Sequence, residues 1–427
     1  MTANKNAMAA RGNEINVAAF SSLRSIRISA ALFFSVIIIE LIPQLLFVQT
    51  AATSLAFGVV VASVSVILIN IRFAAVLKFN FYGFLISFFI YAFVLMGSAY
   101  GYFSTLFAKP LLTAVAILLP ILACVLLSRR MASLSYESVE NTFVLIFLLV
   151  LFLGWIEIVY GVKVYNYSSL KKPVFPFSEE SHYALTIGPL ACIAAINKKF
   201  LFKVFVLLSV FAQAAFFPNL TLLVFCLVLF FVFWGSRHIF LICAMAGGGI
   251  VAASFVFTVY SDSPTVEYFS SRLNISTEST NLTTLVFLQG WDEAWRSLVN
   301  TNGLGLGFQM LGTNPPGDIA ERIFMLYGTD FNRADGGFLA SKVIAELGVI
   351  GLVITFFFIG FLLNYVFKAK TLFGCSEHRY ILFLSTFIFA YLVEFFLRGY
   401  GYFSPGLMLT LTFFLVLVAK KRELKHG

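Results

Sequence analysis

Three polar stretches carry the residue types from which a reactive site could be built. The first is FPFSEESHYALTIG at 175–188, which closes a loop and opens a helix. Ser178 or Ser181 is placed to cap that helix, and Glu179 and Glu180 fall where the helix dipole favours negative charge. The alternative use of the same residues is a carboxylate, Glu179, and an imidazole, His182, together at the mouth of a cavity. The second stretch is DFNRADGGFLASKVIAELGVIG at 330–351, with Asp335 just before a Gly-Gly turn. The third is RGYGYFSP at 398–405. Glu394 and Arg398 are four apart, hence expected to pair on one helix face. If Arg398 faces a cavity instead, its planar fork suits a phosphate. His182 has no partner at ligand spacing, and the chain has no DxD pair and no HExxH, so no metal is expected.

The elements that must position these residues are membrane helices. The chain is 60% hydrophobic, 17% aromatic and 11% charged, against roughly 25% charged in a soluble domain. The fold expected is an all-α polytopic membrane protein with about twelve spans. They are read at 28–48, 52–70, 80–100, 106–127, 142–160, 183–197, 200–217, 219–235, 239–260, 342–367, 379–397 and 403–419. The net charge of +9 is assigned to cytoplasmic loops rather than to nucleic-acid binding. With the N-terminus inside, most of the 29 Lys and Arg fall in inner segments. Both termini are then cytoplasmic. The chain divides into a tail (1–26), helices one to nine (27–260), an outer loop (261–340), helices ten to twelve (341–419) and a second tail (420–427). The five cysteines show no zinc or CxxC spacing, and no disulfide is expected.

Against the positive-inside bias, Lys163, Lys171, Lys172, Arg272, Arg296, Arg322, Arg333 and Arg398 lie outside. Either they keep ordinary loops soluble or some of them hold an anionic ligand near the outer surface. Acids inside spans (Glu40 near Pro43, Glu157, Glu346 and Glu394) are site candidates by default. Within the outer loop, 286–299 reads as an amphipathic helix with Trp291, Trp295 and Leu298 at helical spacing. Its tryptophans are expected to seat it on the membrane domain, the alternative being a sugar-stacking platform. The glycine run at 303–307 lacks the βαβ setting of a nucleotide fingerprint. It fits a tight turn against a ligand or a neighbouring helix.

These pieces together resemble a known family. The chain is similar to the bacterial O-antigen polymerases (Wzy type), relatives of the O-antigen ligases within the wider group of membrane glycosyltransferases that use lipid-linked sugars. FSEESH resembles that family's F-x-E-P-S-H turn, with Glu180 where the family has proline. Arg272, in SSRLN, stands where the long loop begins with a basic residue; GLGLG with DGGFLASKVIAELGVIG resembles the loop's exit, and FLRGYGYFSP the final outer turn. The resemblance implies a glycan donor on undecaprenyl pyrophosphate, attacked at its anomeric carbon by a hydroxyl of the next lipid-linked unit. It implies catalytic candidates Arg272, Glu179, His182 and Asp335, and substrate-binding candidates Arg398, Tyr400, Arg322, Arg333 and Lys172. Fixed cations would stabilise the leaving pyrophosphate, with Glu179, His182 or Asp335 as base. No cofactor is implied. The partners implied are lipid-linked glycans, membrane lipids and a chain-length regulator; the location is the bacterial inner membrane with the active side periplasmic. Two other readings stay open: an O-antigen ligase using lipid A–core as acceptor, and a flippase or transporter. Charge gathered in loops on one side favours surface chemistry over passage.

Overall fold

A computed structural model describes residues 30–50, 54–76, 87–88, 91–99, 103, 108–161, 165–170, 173–234, 272, 275–372 and 378–426. Among them the chain is helical, and its β-type pairing is an isolated bridge between Val174 and Phe177. In order come α1 (Ala30–Gln49), α2 (Ala56–Asn70), α3 (Lys109–Ala132), α4 (Tyr136–Tyr160), α5 (Glu180–Ala195), α6 (Phe200–Phe216) and α7 (Leu220–Trp234). Then follow α8 (Leu282–Asn300), α9 (Asp318–Tyr327), α10 (Leu339–Leu347), α11 (Val349–Leu372), α12 (Arg379–Phe396) and α13 (Pro405–His426). Six of these, α1 to α4, α11 and α12, are long and apolar enough to cross a membrane; α6 and α7 are apolar but shorter. The segment at 239–260, most of that at 80–100, and both tails' outermost residues lie outside the described residues.

The composition of the helices explains their burial. On α11, Phe356 is 66% exposed and Phe357 78%. Large apolar side chains turned outward all round a helix fit a lipid solvent, not water. Inside, aromatic rings interlock: Phe387 of α12 stacks on Phe413 of α13 at 4.2 Å, and Phe143 of α4 meets Phe413 edge-on at 5.1 Å. Polar side chains join neighbouring helices where lipid offers no hydrogen bonds. Tyr183 of α5 donates to Gln213 Oε1 of α6 (2.7 Å), and Gln213 Nε2 donates to the Leu151 carbonyl of α4 (3.0 Å). Arg130 of α3 donates to Asn70 of α2, whose amide donates to Ser35 of α1 at 3.0 Å.

Three expected spans are interrupted, that at 106–127 at Ile117, between Lys109–Ala116 and Leu118–Ala132. The run read as one helix at 342–367 is two, broken at Gly348, whose φ is +58° and whose amide still donates to the Ile344 carbonyl at 2.9 Å. Residues on both sides of the break are apolar, so hydrophobicity runs through a junction that only glycine's backbone reveals. The short α10 is buried along its length, while α11 is exposed. Likewise α12 is interrupted at Tyr391, between Arg379–Ala390 and Leu392–Phe396.

The glycine run is a turn docked on α10. Leu306 N–H donates to the Ala345 carbonyl (3.0 Å), Gly307 N–H to that of Glu346 (2.9 Å), and Val349 N–H to that of Gly303 (2.8 Å). Gly305 has φ +82°, and a Cβ there would come within 2.5 Å of the Glu346 carbonyl oxygen. The reading of this stretch as a tight turn against a neighbouring helix therefore matches its geometry.

One end of the bundle gathers basic residues. Lys198 pairs with Glu140 at 3.1 Å, Asn197 donates to the Tyr136 hydroxyl at 2.6 Å, Tyr380 donates to the Met131 carbonyl, and Lys420 lies over the Tyr380 ring. Helix α5 runs from this end, at Ala195, to Glu180 at the other; at 1.5 Å per residue the two ends are about 24 Å apart.

Candidate functional site

The far end of α5 begins at Glu179, which is extended (φ −152°, ψ 160°) and occupies the N-cap position without using its side chain to cap. Neither Ser178 nor Ser181 caps the helix, contrary to the expectation from their types. Both are diverted to the acid and the imidazole. Ser181 Oγ donates to Glu179 Oε1, and Ser178 Oγ lies 2.9 Å from His182 Nδ1. His182 Nε2 sits 3.0 Å from the same Glu179 Oε1. A neutral imidazole with its proton on Nε2 satisfies both contacts, accepting from Ser178 at Nδ1. One helical turn therefore arms the carboxylate oxygen with two donors.

A third donor comes from the turn after α12. Arg398 Nη2 bonds Glu179 Oε1. The expected pair with Glu394 does not form. Helix α12 ends at Phe396, so residue 398 has left the helical register in which positions four apart face each other. Glu394 is instead buried against Ser404 and Gly406. The turn is held from outside as well: Gly399 N–H donates to the Gly337 carbonyl at 2.9 Å. A Cβ at Gly399 would meet the Glu394 carbonyl at 2.6 Å, so this tight approach requires glycine. Tyr400 packs edge-on against the His182 ring, centroids 4.5 Å apart, and its hydroxyl accepts from Gln44 Nε2 at 3.2 Å.

Burial works against ionisation of Glu179, but the Arg398 guanidinium, His182 and the bonds from His182 and Ser181 outweigh it. The carboxyl is held well below the usual carboxylate range. With Arg398, His182 and Ser181 all bonded to its Oε1, Glu179 is arranged as a counter-ion that fixes Arg398. His182, with both ring nitrogens engaged, orients the acid.

These residues line a hollow with two compartments. The larger, about 900 Å³, is walled by Glu179, His182, Arg272, Asp335, Arg398 and Tyr400, with Tyr327 and Phe331 at one side. The smaller, about 560 Å³, shares Glu179, Arg272, Phe287, Leu397 and Arg398 and adds apolar Leu220, Val224 and Val393. The sequence candidates Arg272, Glu179, His182, Asp335, Arg398 and Tyr400 thus come together, although Arg272 and Arg398 are far apart in the chain. Asp335 is held by Lys342, whose buried ammonium lies 3.5 Å from Asp335 Oδ1 and 3.1 Å from the Ala334 carbonyl.

Two candidates sit elsewhere. Arg322 pairs with exposed Glu278 at 2.9 Å, and Arg333 with Glu293 at 3.4 Å, Asp330 at 3.7 Å and the Asn314 carbonyl. Neither lines the hollow. Both arginines pin the segment between α7 and α10 together. Burial raises the Glu293 pKa, and Arg333 opposes that rise. Lys172 lies outside the described residues, as do Lys163 and Lys171. Arg296, another outer cation, faces Asp292 at 3.9 Å.

Lys342 escaped the sequence reading. Besides Asp335 it approaches Glu346 Oε1 at 3.9 Å and the Tyr402 ring at 5.7 Å. Glu346, read as an in-span acid with a site role, accepts the Gln309 and Leu311 amides at 2.8 and 3.2 Å. It therefore fastens the glycine turn to α10. The signal was present: a Lys and a Glu four apart inside an apolar helix predict a pair. Among the described residues no three His, Cys, Asp or Glu gather as metal ligands. Compared with models of known protein families and with curated proteins, the chain matches none.

Proposed function

We propose that the chain is a membrane glycosyltransferase that polymerises oligosaccharide repeat units carried on undecaprenyl pyrophosphate. The observation that carries the reading is the pair of compartments joined at Arg272 and Arg398. A mainly apolar chamber, a shared wall bearing Arg272, Arg398 and the counter-ion Glu179, and a roomier, more polar chamber match, in that order, a prenyl chain, a pyrophosphate and a glycan. On this reading the membrane is the bacterial inner membrane, with about twelve spans, both termini cytoplasmic and the hollow on the periplasmic side.

In the step proposed, a hydroxyl of the incoming lipid-linked unit attacks the anomeric carbon of the donor glycan. The bond from that carbon to the phosphate oxygen breaks, and its electron pair leaves with undecaprenyl pyrophosphate. Arg272 and Arg398 face the growing negative charge; arginine stays protonated and binds phosphate bidentately. Preorganised cations of this kind contribute because they need no rearrangement as the charge forms. Glu179, His182 and Ser181 fix Arg398. Asp335, on the wall of the polar chamber and steadied by Lys342, takes the proton of the attacking hydroxyl. Tyr327 and Phe331 offer apolar ring faces on the same side for the acceptor's sugars.

The test is reconstitution. Purified protein in liposomes is given fluorescent lipid-linked repeat units, and products are resolved by gel. A ladder of increasing length with release of undecaprenyl pyrophosphate is expected. No ladder, but transfer onto added lipid A–core, would make the chain a ligase; movement of intact lipid-linked units across the bilayer without a new glycosidic bond would make it a flippase.

A further inference from the structure

Helix α8 is apolar on both faces. Its buried face mixes Leu285, Val286 and Ala294 with Thr284, Gln289, Glu293 and Ser297, and Ser297 Oγ donates to the Ala345 carbonyl of α10. Gly290 lies so close to α10's approach that a Cβ would meet the Gly336 carbonyl at 2.6 Å. The outward face carries Trp291, 36% exposed, Trp295, 68%, and Val299, 57%. These are four residues apart, so they form one stripe along the helix. The expectation that the tryptophans seat α8 is met by Trp291, whose ring lies 5.0 Å from that of buried Phe338, and not by Trp295, whose indole is turned away from the protein. A helix with protein on one side and water on the other is polar on its outward face.

The structure indicates what covers the stripe. Leu298, beside it, packs in one cluster with Leu352 of α11. Gly303, just past α8, is bonded through its carbonyl to the Val349 amide that opens α11. Val349, Ile350 and Val353 are themselves exposed, on a helix long and apolar enough to cross a membrane. The end of the stripe on α8 thus lies next to the start of α11, whose first turns are also apolar and exposed. Indole rings, apolar in body and with one N–H donor, favour the boundary between acyl chains and headgroups. We propose that α8 lies along the membrane surface, with Trp291, Trp295 and Val299 embedded in lipid at that boundary. This holds whether or not the chain transfers glycans.

The full chain with Trp155→Phe, Trp234→Phe and Trp291→Phe keeps Trp295 as its one tryptophan. It is placed in bilayers of phosphatidylcholine brominated either near the headgroup end of the acyl chains or near their ends. Trp295 emission should be largely lost in the first, lose less in the second, and be unaffected by iodide in the water. Strong iodide quenching with no effect of bromine would overturn the proposal. So would protection from both quenchers together with disulfide-linked dimers of a Trp295→Cys variant, which would mean that a second copy covers the stripe. If the triple substitution prevents folding, the unsubstituted chain grown on 5-fluorotryptophan gives the same discrimination by fluorine NMR. Trp295→Phe assigns the signal, and dissolved oxygen should broaden it more than a water-soluble nickel chelate; the reverse order refutes the placement.

Discussion

Replacing Arg398 by alanine should slow transfer without removing the protein from the membrane. A phosphate oxygen seated on the guanidinium is about 4 Å from its charge, worth about 4 kcal/mol at an effective dielectric constant of roughly 20. Two features of the site reduce this. The side chain is 31% exposed, so solvent screens it, and Glu179 already neutralises part of its charge. An effect of about 2–3 kcal/mol remains, or roughly 30- to 150-fold in rate. The leaving pyrophosphate is more negative in the transition state than in the bound donor, so the loss should fall mainly on kcat. Arg398→Lys keeps the charge and loses the fork, and should fall by about 1 kcal/mol, roughly fivefold. The assay is the initial rate of ladder formation in proteoliposomes, normalised to the amount of inserted protein. Arg322→Ala is the control. Its partner Glu278 is exposed and the pair lies away from the hollow, so its rate should stay within about twofold of the unaltered chain. An Arg398→Ala rate within about threefold of the unaltered chain would refute the reasoning, since thermal screening alone does not erase a charge at that distance. An equal loss in Arg322→Ala would refute it too, because any outer cation would then serve.

Two further outcomes concern the frame around the site. Lys342→Met leaves the buried Glu346 carboxylate without its cation, an unpaired internal charge that costs about 3–5 kcal/mol; the melting temperature in detergent should drop clearly. Adding Glu346→Leu should recover only part of the loss, because the Gln309 and Leu311 amides then lack their acceptor. Melting of Lys342→Met together with the unaltered chain would remove the pair from the fold's support. Gly305→Ala should destabilise more than Gly161→Ala. Both have positive φ, worth about 1–2 kcal/mol to an alanine, but only at Gly305 would the new methyl collide with the α10 backbone. Equal melting shifts for the two would show that the glycine turn can move off α10.

What the sequence revealed depended on how far apart the partners are. Hydrophobic runs located α1, α6 and α7 closely, since burying apolar surface sets the helices directly. Runs of hydrophobicity could not locate the breaks at Gly348 and Tyr391, where both flanks are equally apolar. The outer cations show the same limit. Arg296 with Asp292 and Arg333 with Asp330 are one helical turn apart or less, so their pairing was within reach of spacing rules. Arg322 with Glu278 and Arg398 with Glu179 meet only through the fold, and the sequence presents all four arginines as equals. Of the contacts of Lys342, only that with Glu346, four residues on, was within reach of spacing rules; those with Asp335 and the Tyr402 ring come from the fold.

The pairing of Arg398 with Glu179 follows from the place it occupies. A half-buried guanidinium beside an apolar chamber is costly without a counter-ion, because its charge is partly desolvated before any ligand arrives. A carboxylate on the first residue before α5 provides that counter-ion from a helix end. Ser181 and His182 bond the same oxygen, so the acid is fixed while one face of the arginine remains directed to the hollow it lines. An anion reaching the shared wall then adds to an already oriented cation rather than having to order a mobile one. That is why a Glu179 held as counter-ion to Arg398 fits the phosphate leaving group of the proposed reaction. On that proposal, proton transfer falls to Asp335, which lines the larger chamber beside Lys342.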